Sequence, residues 1–109
     1  MRQLYIDGKW VDPRSGELFE TFNPATGEVL DEVSSAGPED AEAAVAAARR
    51  AFDDGTWGAQ SAPRDRAALL FRVAALIRRD RDRLAELETL DNGKPLGDAV
   101  WDIDEAAYM

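Results

Sequence analysis

Asp98, Asp102 and Glu105 follow one another at i, i+4 and i+7, a spacing that sets three carboxylates on one face of a helix. Such a stripe is usually just solvated, but at the rim of an opening it would concentrate a cationic substrate. Upstream, in "LDNGKP", Asp91 falls where a helix should end among outward-pointing carbonyls, and a carboxylate beside free carbonyls suits a hard cation. An Asp at a turn more often hydrogen-bonds the local backbone, and that is the default for Asp91. Lys94 is expected to neutralise the negative end of the same helix. Trp10, Trp57 and Trp101 are read as core or interface residues.

Other chemistry is excluded by composition. With no cysteine and no histidine among 109 residues, the chain lacks a thiol nucleophile, an imidazole base and the commonest zinc ligands. Carboxylate acid–base work stays open in principle. The eight glycines never fall into the GxGxxG or GxxxxGKS/T spacings that cradle phosphate. No residue is therefore assigned as catalytic or cofactor-binding. A formal net charge of -9 argues against nucleic acid, and in "RRDRDR" the basic residues alternate with Asp80 and Asp82. No apolar run is long enough to span a bilayer, and "MRQLYIDGKW" has no signal-peptide core, so a cytoplasmic location is expected.

Positioning these residues falls to elements that the pattern outlines. With 45% hydrophobic and 32% charged residues, the chain has a globular mixture and the length of one domain at most. Asp7-Gly8 between "LYI" and "KWV" predicts a hairpin, and "NPATG" separates a second strand pair, 18–22 and 28–33, whose second strand has no clean apolar face. Three helices should follow. The first starts at Pro38, carries the stripe Ala41, Ala44, Val45, Ala48 and Phe52, and stops at Gly55. The second is long, starting at Pro63, striped by Leu69, Leu70, Val73, Leu76, Ile77, Leu84, Leu87 and Leu90, with Asp80 as the place for a break. Asn92-Gly93 stops it, and after Pro95 a third helix carries Leu96, Val100, Ile103 and Ala107. Because "AAYM" holds no stop signal, that helix is expected to be cut in mid-pattern.

In this order, "NPATGEV", "DRAALLFRVAALIRRDRDRLAELETLDNGKPL" and "AVWDID" resemble the N-terminal stretch of the NAD(P)+-dependent aldehyde dehydrogenases. The resemblance implies an α/β parent with a Rossmann-type cofactor domain, of which residues 1–109 would be the N-terminal part, before the catalytic and oligomerisation regions. It further implies oxidation of an aldehyde through a cysteine thioester, NAD or NADP as cofactor, and a homodimeric or homotetrameric parent. The catalytic cysteine and the glutamate base would lie outside this chain, which alone is expected to be inactive and poorly folded. By similarity, a monovalent cation (K+ or Na+) would be held by Asp91 with Thr21 and Phe22. "GKPL" and "AVWDIDE" are most like the betaine-aldehyde and amino-aldehyde branch, in which positions matching Asp102 and Glu105 flank the substrate entrance and favour cationic aldehydes. The chain departs from that branch at Glu105, where an Asp is usual, with Ala106 and Ala107 after it. Two other readings remain open: a non-catalytic protein that associates with full-length subunits, and an acidic cation-binding module.

Overall fold

The computed structural model describes residues 2–109, which divide into two compact units. The first runs to Thr21 and resumes over Asp31–Ser61; the second comprises Phe22–Leu30 and Ala62–Met109.

In the first unit, β1 (Leu4–Ile6) and β2 (Lys9–Val11) pair antiparallel, with Tyr5 opposite Trp10. Asp7 and Gly8 both take positive φ, 54° and 76°, as a two-residue turn matching the strand twist demands. The rings of Tyr5 and Trp10 lie 4.9 Å apart and tilted. Strand β3 (Leu18–Phe22) pairs with β4 (Val29–Ser34), and the sequence did not reveal that Arg2 joins β4 through a parallel bridge to Val33. Helix α1 (Pro38–Asp53) begins at a buried carboxylate: Asp40 accepts the backbone N–H of Gly37 at 3.0 Å and of Arg14 at 3.2 Å. Burying that charge is tolerable because backbone donors and the positive helix end surround it. The expected α1 stripe fares less well. Ala47 is the buried apolar residue of the helix, whereas Val45 and Phe52 lie at the surface, with the guanidinium of Arg49 over the Phe52 ring.

In the second unit the long helix divides at Asp80, the residue marked for a break, into α2 (Pro63–Arg79) and α3 (Arg81–Asn92), so four helices stand where three were expected. Asp80 has φ -99° and ψ 10°, and its carboxylate pairs with Arg79 at 2.8 Å. That pairing holds the carboxyl below the usual range. Gly93 ends α3 at φ 79°; a Cβ there would sit 2.9 Å from Pro24 Cγ, so both backbone and space demand glycine. Helix α4 (Leu96–Tyr108) packs against α3 and α2.

The contact surface of this unit is small-residue and charged. Ala85 and Ala99 are fully buried, and Ala107 nearly so. Three cations from α2, α3 and the turn before α4 hold that helix. Arg81 forks onto Asp104 at 2.6 and 2.8 Å, Arg78 donates to the Ala107 carbonyl at 2.8 Å, and Lys94 pairs with Glu88 at 2.9 Å and with Asp102. The Arg81 hydrogen bond holds the Asp104 carboxyl below its ordinary range, while Asp102, and then Glu88, push the Lys94 ammonium well above its own.

Two expectations need correction. Lys94 does not neutralise the end of α3; its ammonium goes to two carboxylates, which attract a full charge more strongly than a helix terminus does. Of the core-or-interface reading of the tryptophans, only the core half is overturned: Trp10, Trp57 and Trp101 are 67%, 50% and 63% exposed, and Leu70 on the α2 stripe and its neighbour Phe71 also face outward. Where helices meet through alanines, no interior is left for large rings to fill. Among the described residues, no helix is long and apolar enough to cross a membrane.

Two outcomes follow from this packing. The 109-residue chain should bind a hydrophobic dye such as ANS and elute larger than a monomer, since contiguous exposed apolar faces associate; a monodisperse monomer with a sharp cooperative melt would contradict it. Because the Asp104 pKa is lowered on folding, its contribution is present above the unfolded value of about 4 and lost as pH falls through that region, whereas that of Lys94, raised on folding, fades only above about pH 10. Far-UV ellipticity should therefore be flat near neutrality and fall in acid, and an Arg81→Met variant should lose part of that acid dependence; an unchanged acid limb would refute it.

Candidate functional site

The acidic face of α4 is the feature that carries most chemical potential. The helix starts after Pro95, whose extended φ of -56° and ψ of 139° turns the chain, and its spacing brings Asp98, Asp102 and Glu105 onto one side. Asp98 is exposed; Asp102 and Glu105 are half-buried. Asp102 is no isolated anion, because the Lys94 ammonium lies between it and Glu88. Lys94 stands in the turn before α4, Asp102 midway along α4 and Glu88 in the last turns of α3, so one cation ties both helices. The side chains of Lys94 and Glu88 are only 29% and 27% exposed, which screens this pair less than a surface bridge.

Sequence reasoning had not singled out Glu88 or Asp104. Glu88 lies six residues from Lys94, and Asp104 lies 23 from Arg81, spacings without a helical signature. Only the fold back of α4 across the Gly93 turn brings them together.

The cation candidates separate. Asp91 is exposed on the last turn of α3, and Phe22 opens the hairpin tip that belongs to the same unit. Within that unit the tip meets the end of α3, where Pro24 abuts Gly93. Thr21 belongs to the other unit, where its hydroxyl donates to the Asp31 carbonyl at 3.5 Å. No group of three or more acidic, histidine or cysteine side chains able to hold a metal ion occurs among the described residues. A single carboxylate with backbone carbonyls fits a monovalent cation better than a divalent one, whose charge calls for more anionic ligands.

Two hollows in the second and first units are mostly apolar. One of about 300 Å³ is walled by Leu70, Phe71, Ile77, Arg78 and Tyr108, and another of about 580 Å³ by Phe52, Trp57 and Gln60. Neither is lined by Asp91, Asp102 or Glu105. Neither holds convergent polar groups of the kind that orient a reacting substrate.

Comparison with known proteins matches this architecture. The model of the aldehyde dehydrogenase family matches residues 10–109. Betaine aldehyde dehydrogenase from Bacillus subtilis (strain 168) is 44% identical over 106 residues, which cover 97% of this chain and 21% of the relative. Among solved structures, gamma-glutamyl-gamma-aminobutyraldehyde dehydrogenase from Burkholderia cenocepacia J2315 superposes with a TM-score of 0.93 at 49% identity, over 98% of this chain and 22% of that one. Betaine aldehyde dehydrogenase from Staphylococcus aureus, solved in complex with NAD+, gives 0.91 at 40% identity, over 95% and 20%. The chain thus spans about a fifth of the length of the curated relatives it matches. With the family model matching all but the first nine residues, the chain belongs to the aldehyde dehydrogenase family.

Proposed function

We propose that these residues form the N-terminal part of the cofactor-binding domain of an NAD(P)+-dependent aldehyde dehydrogenase, and that their role there is structural. The observation that carries this reading is the superposition of nearly the whole chain on about a fifth of enzymes that act on aldehydes by name. In such an enzyme a thiolate would attack the aldehyde, hydride would pass to the nicotinamide, and water would release the acid. This chain has no cysteine to form the thioester and no glycine-rich loop to cradle a pyrophosphate, so both tasks fall to residues outside it. What it contributes is a rigid helical corner, and we place the whole enzyme in the cytoplasm as a homo-oligomer.

The acidic face of α4 supports a substrate class. We assign Asp102 and Glu105 to the border of the substrate entrance and a cationic or amino aldehyde to the enzyme, in keeping with the betaine and aminobutyraldehyde relatives. With Asp102 shared by Lys94, Glu105 carries the larger share of the attraction. In the full-length enzyme an Asp102→Asn/Glu105→Gln double variant should lose about three- to tenfold in kcat/KM for betaine aldehyde or 4-aminobutanal, relative to a neutral aldehyde of equal length. Equal losses on both, or a wild type indifferent to charge, would end the idea.

A second assignment concerns the corner itself. We place a monovalent cation at Asp91 with the carbonyl of Phe22, supported by the hard oxygen chemistry of the pair and by the seating of Pro24 against Gly93 within the same unit. Potassium should raise the melting temperature of the full-length enzyme by a few degrees over an equal concentration of tetramethylammonium, and an Asp91→Asn variant should lose that increment. A potassium response that survives the substitution would refute the site.

A further inference from the structure

Lys94 occupies a position that neither a solvated surface lysine nor a helix cap explains. Its ammonium bridges Glu88 on α3 and Asp102 on α4, its stem is largely covered, and it stands at the turn that redirects the chain between them. Two carboxylates converging on one cation leave a local charge of minus one; without the cation they would face each other across the junction and repel. Asp102 stands midway along α4, and the other ties, Arg81 to Asp104 and Arg78 to the Ala107 carbonyl, lie on its C-terminal side, so Lys94 is the ionic tie nearest the start of the helix.

We propose that Lys94 is a positioning residue for the acidic face of α4: by engaging Asp102 it holds the middle of the helix to the end of α3 and withholds one negative charge, which sets how strongly that face discriminates cationic from neutral aldehydes. This deepens the reading of α4 as the border of a substrate entrance and rests on it. A cationic partner on Asp102 weakens the field that a positively charged substrate meets, while Glu105 keeps its own. Removing the lysine charge should therefore strengthen discrimination, and replacing it with another cation should not.

The test uses the full-length enzyme with Lys94→Met and Lys94→Arg variants, assayed on betaine aldehyde and on a neutral aldehyde of equal length, in low salt and in 0.5 M KCl. The ratio of the two kcat/KM values is expected to rise about two- to fivefold in Lys94→Met at low salt, the effect of one unit charge across a partly solvated gap. The rise should collapse in high salt and be absent in Lys94→Arg. A ratio unchanged in Lys94→Met, or an identical change in Lys94→Arg, overturns the proposal. The Asp102→Asn/Glu105→Gln variant separates the two levels: if it lowers the ratio while Lys94→Met does nothing, only the role of Lys94 fails; if it too leaves the ratio unmoved, the entrance reading fails with it. Should Lys94→Met not accumulate in soluble form, competitive amine labelling of the wild-type enzyme decides. Lys94 is expected to react far more slowly than exposed Lys9, and an equal rate would overturn the proposal.

Discussion

Helices α3 and α4 can lie close only because the residues buried in their unit are alanines, and that limit on size governs most of what surrounds them. Ala85 and Ala99 expose nothing, and Ala107 almost nothing. A seam of methyl groups brings backbones near each other but removes little apolar surface per residue from water, on the order of a single CH2 or CH3 each. The seam is therefore supplemented by charge. Arg81 on Asp104, Arg78 on the Ala107 carbonyl and Lys94 on two carboxylates tie the middle and C-terminal part of α4. Forked and partly covered pairs of this kind confer geometry as much as stability, because each accepts only a narrow range of helix offsets.

The same limit decides where the large side chains go. Leu70, Phe71, Leu87 and Trp101 cannot enter an alanine seam, so they face outward, and the hollow that Leu70 and Phe71 help to wall is mostly apolar. Function in this part of the fold is thus a matter of placement. Gly93 redirects the chain, Pro24 closes on it, and the acids of α4 are carried to their position by a turn in which both backbone and space demand glycine.

Much of the local structure was legible because it follows from single residues. Asp7-Gly8, Gly27, Pro38, Gly55, Pro63 and Gly93 announced the turns and helix starts that the structure contains, and even the break at Asp80 could be named. The apolar stripes were legible as helical periodicity, and several of their members lie at the surface. Periodicity reports which residues share a face, and it is silent on whether anything covers that face. The candidate site was half legible: the run of Asp98, Asp102 and Glu105 was visible, whereas the lysine that occupies Asp102 was given a different task.

By itself, then, the sequence determined the chemistry that is possible and the elements that exist: no cysteine or histidine, no phosphate loop, an excess of acid, and turns set by glycine and proline at particular φ values. These are properties of residue type and near-neighbour spacing. Tertiary structure alone decided which charges cancel and which faces are left open, because Arg81 and Asp104, or Arg78 and the end of α4, are more than twenty residues apart and meet only when α4 folds back after Gly93. Electrostatic interactions depend on separation in space, and no periodicity in the chain encodes that distance.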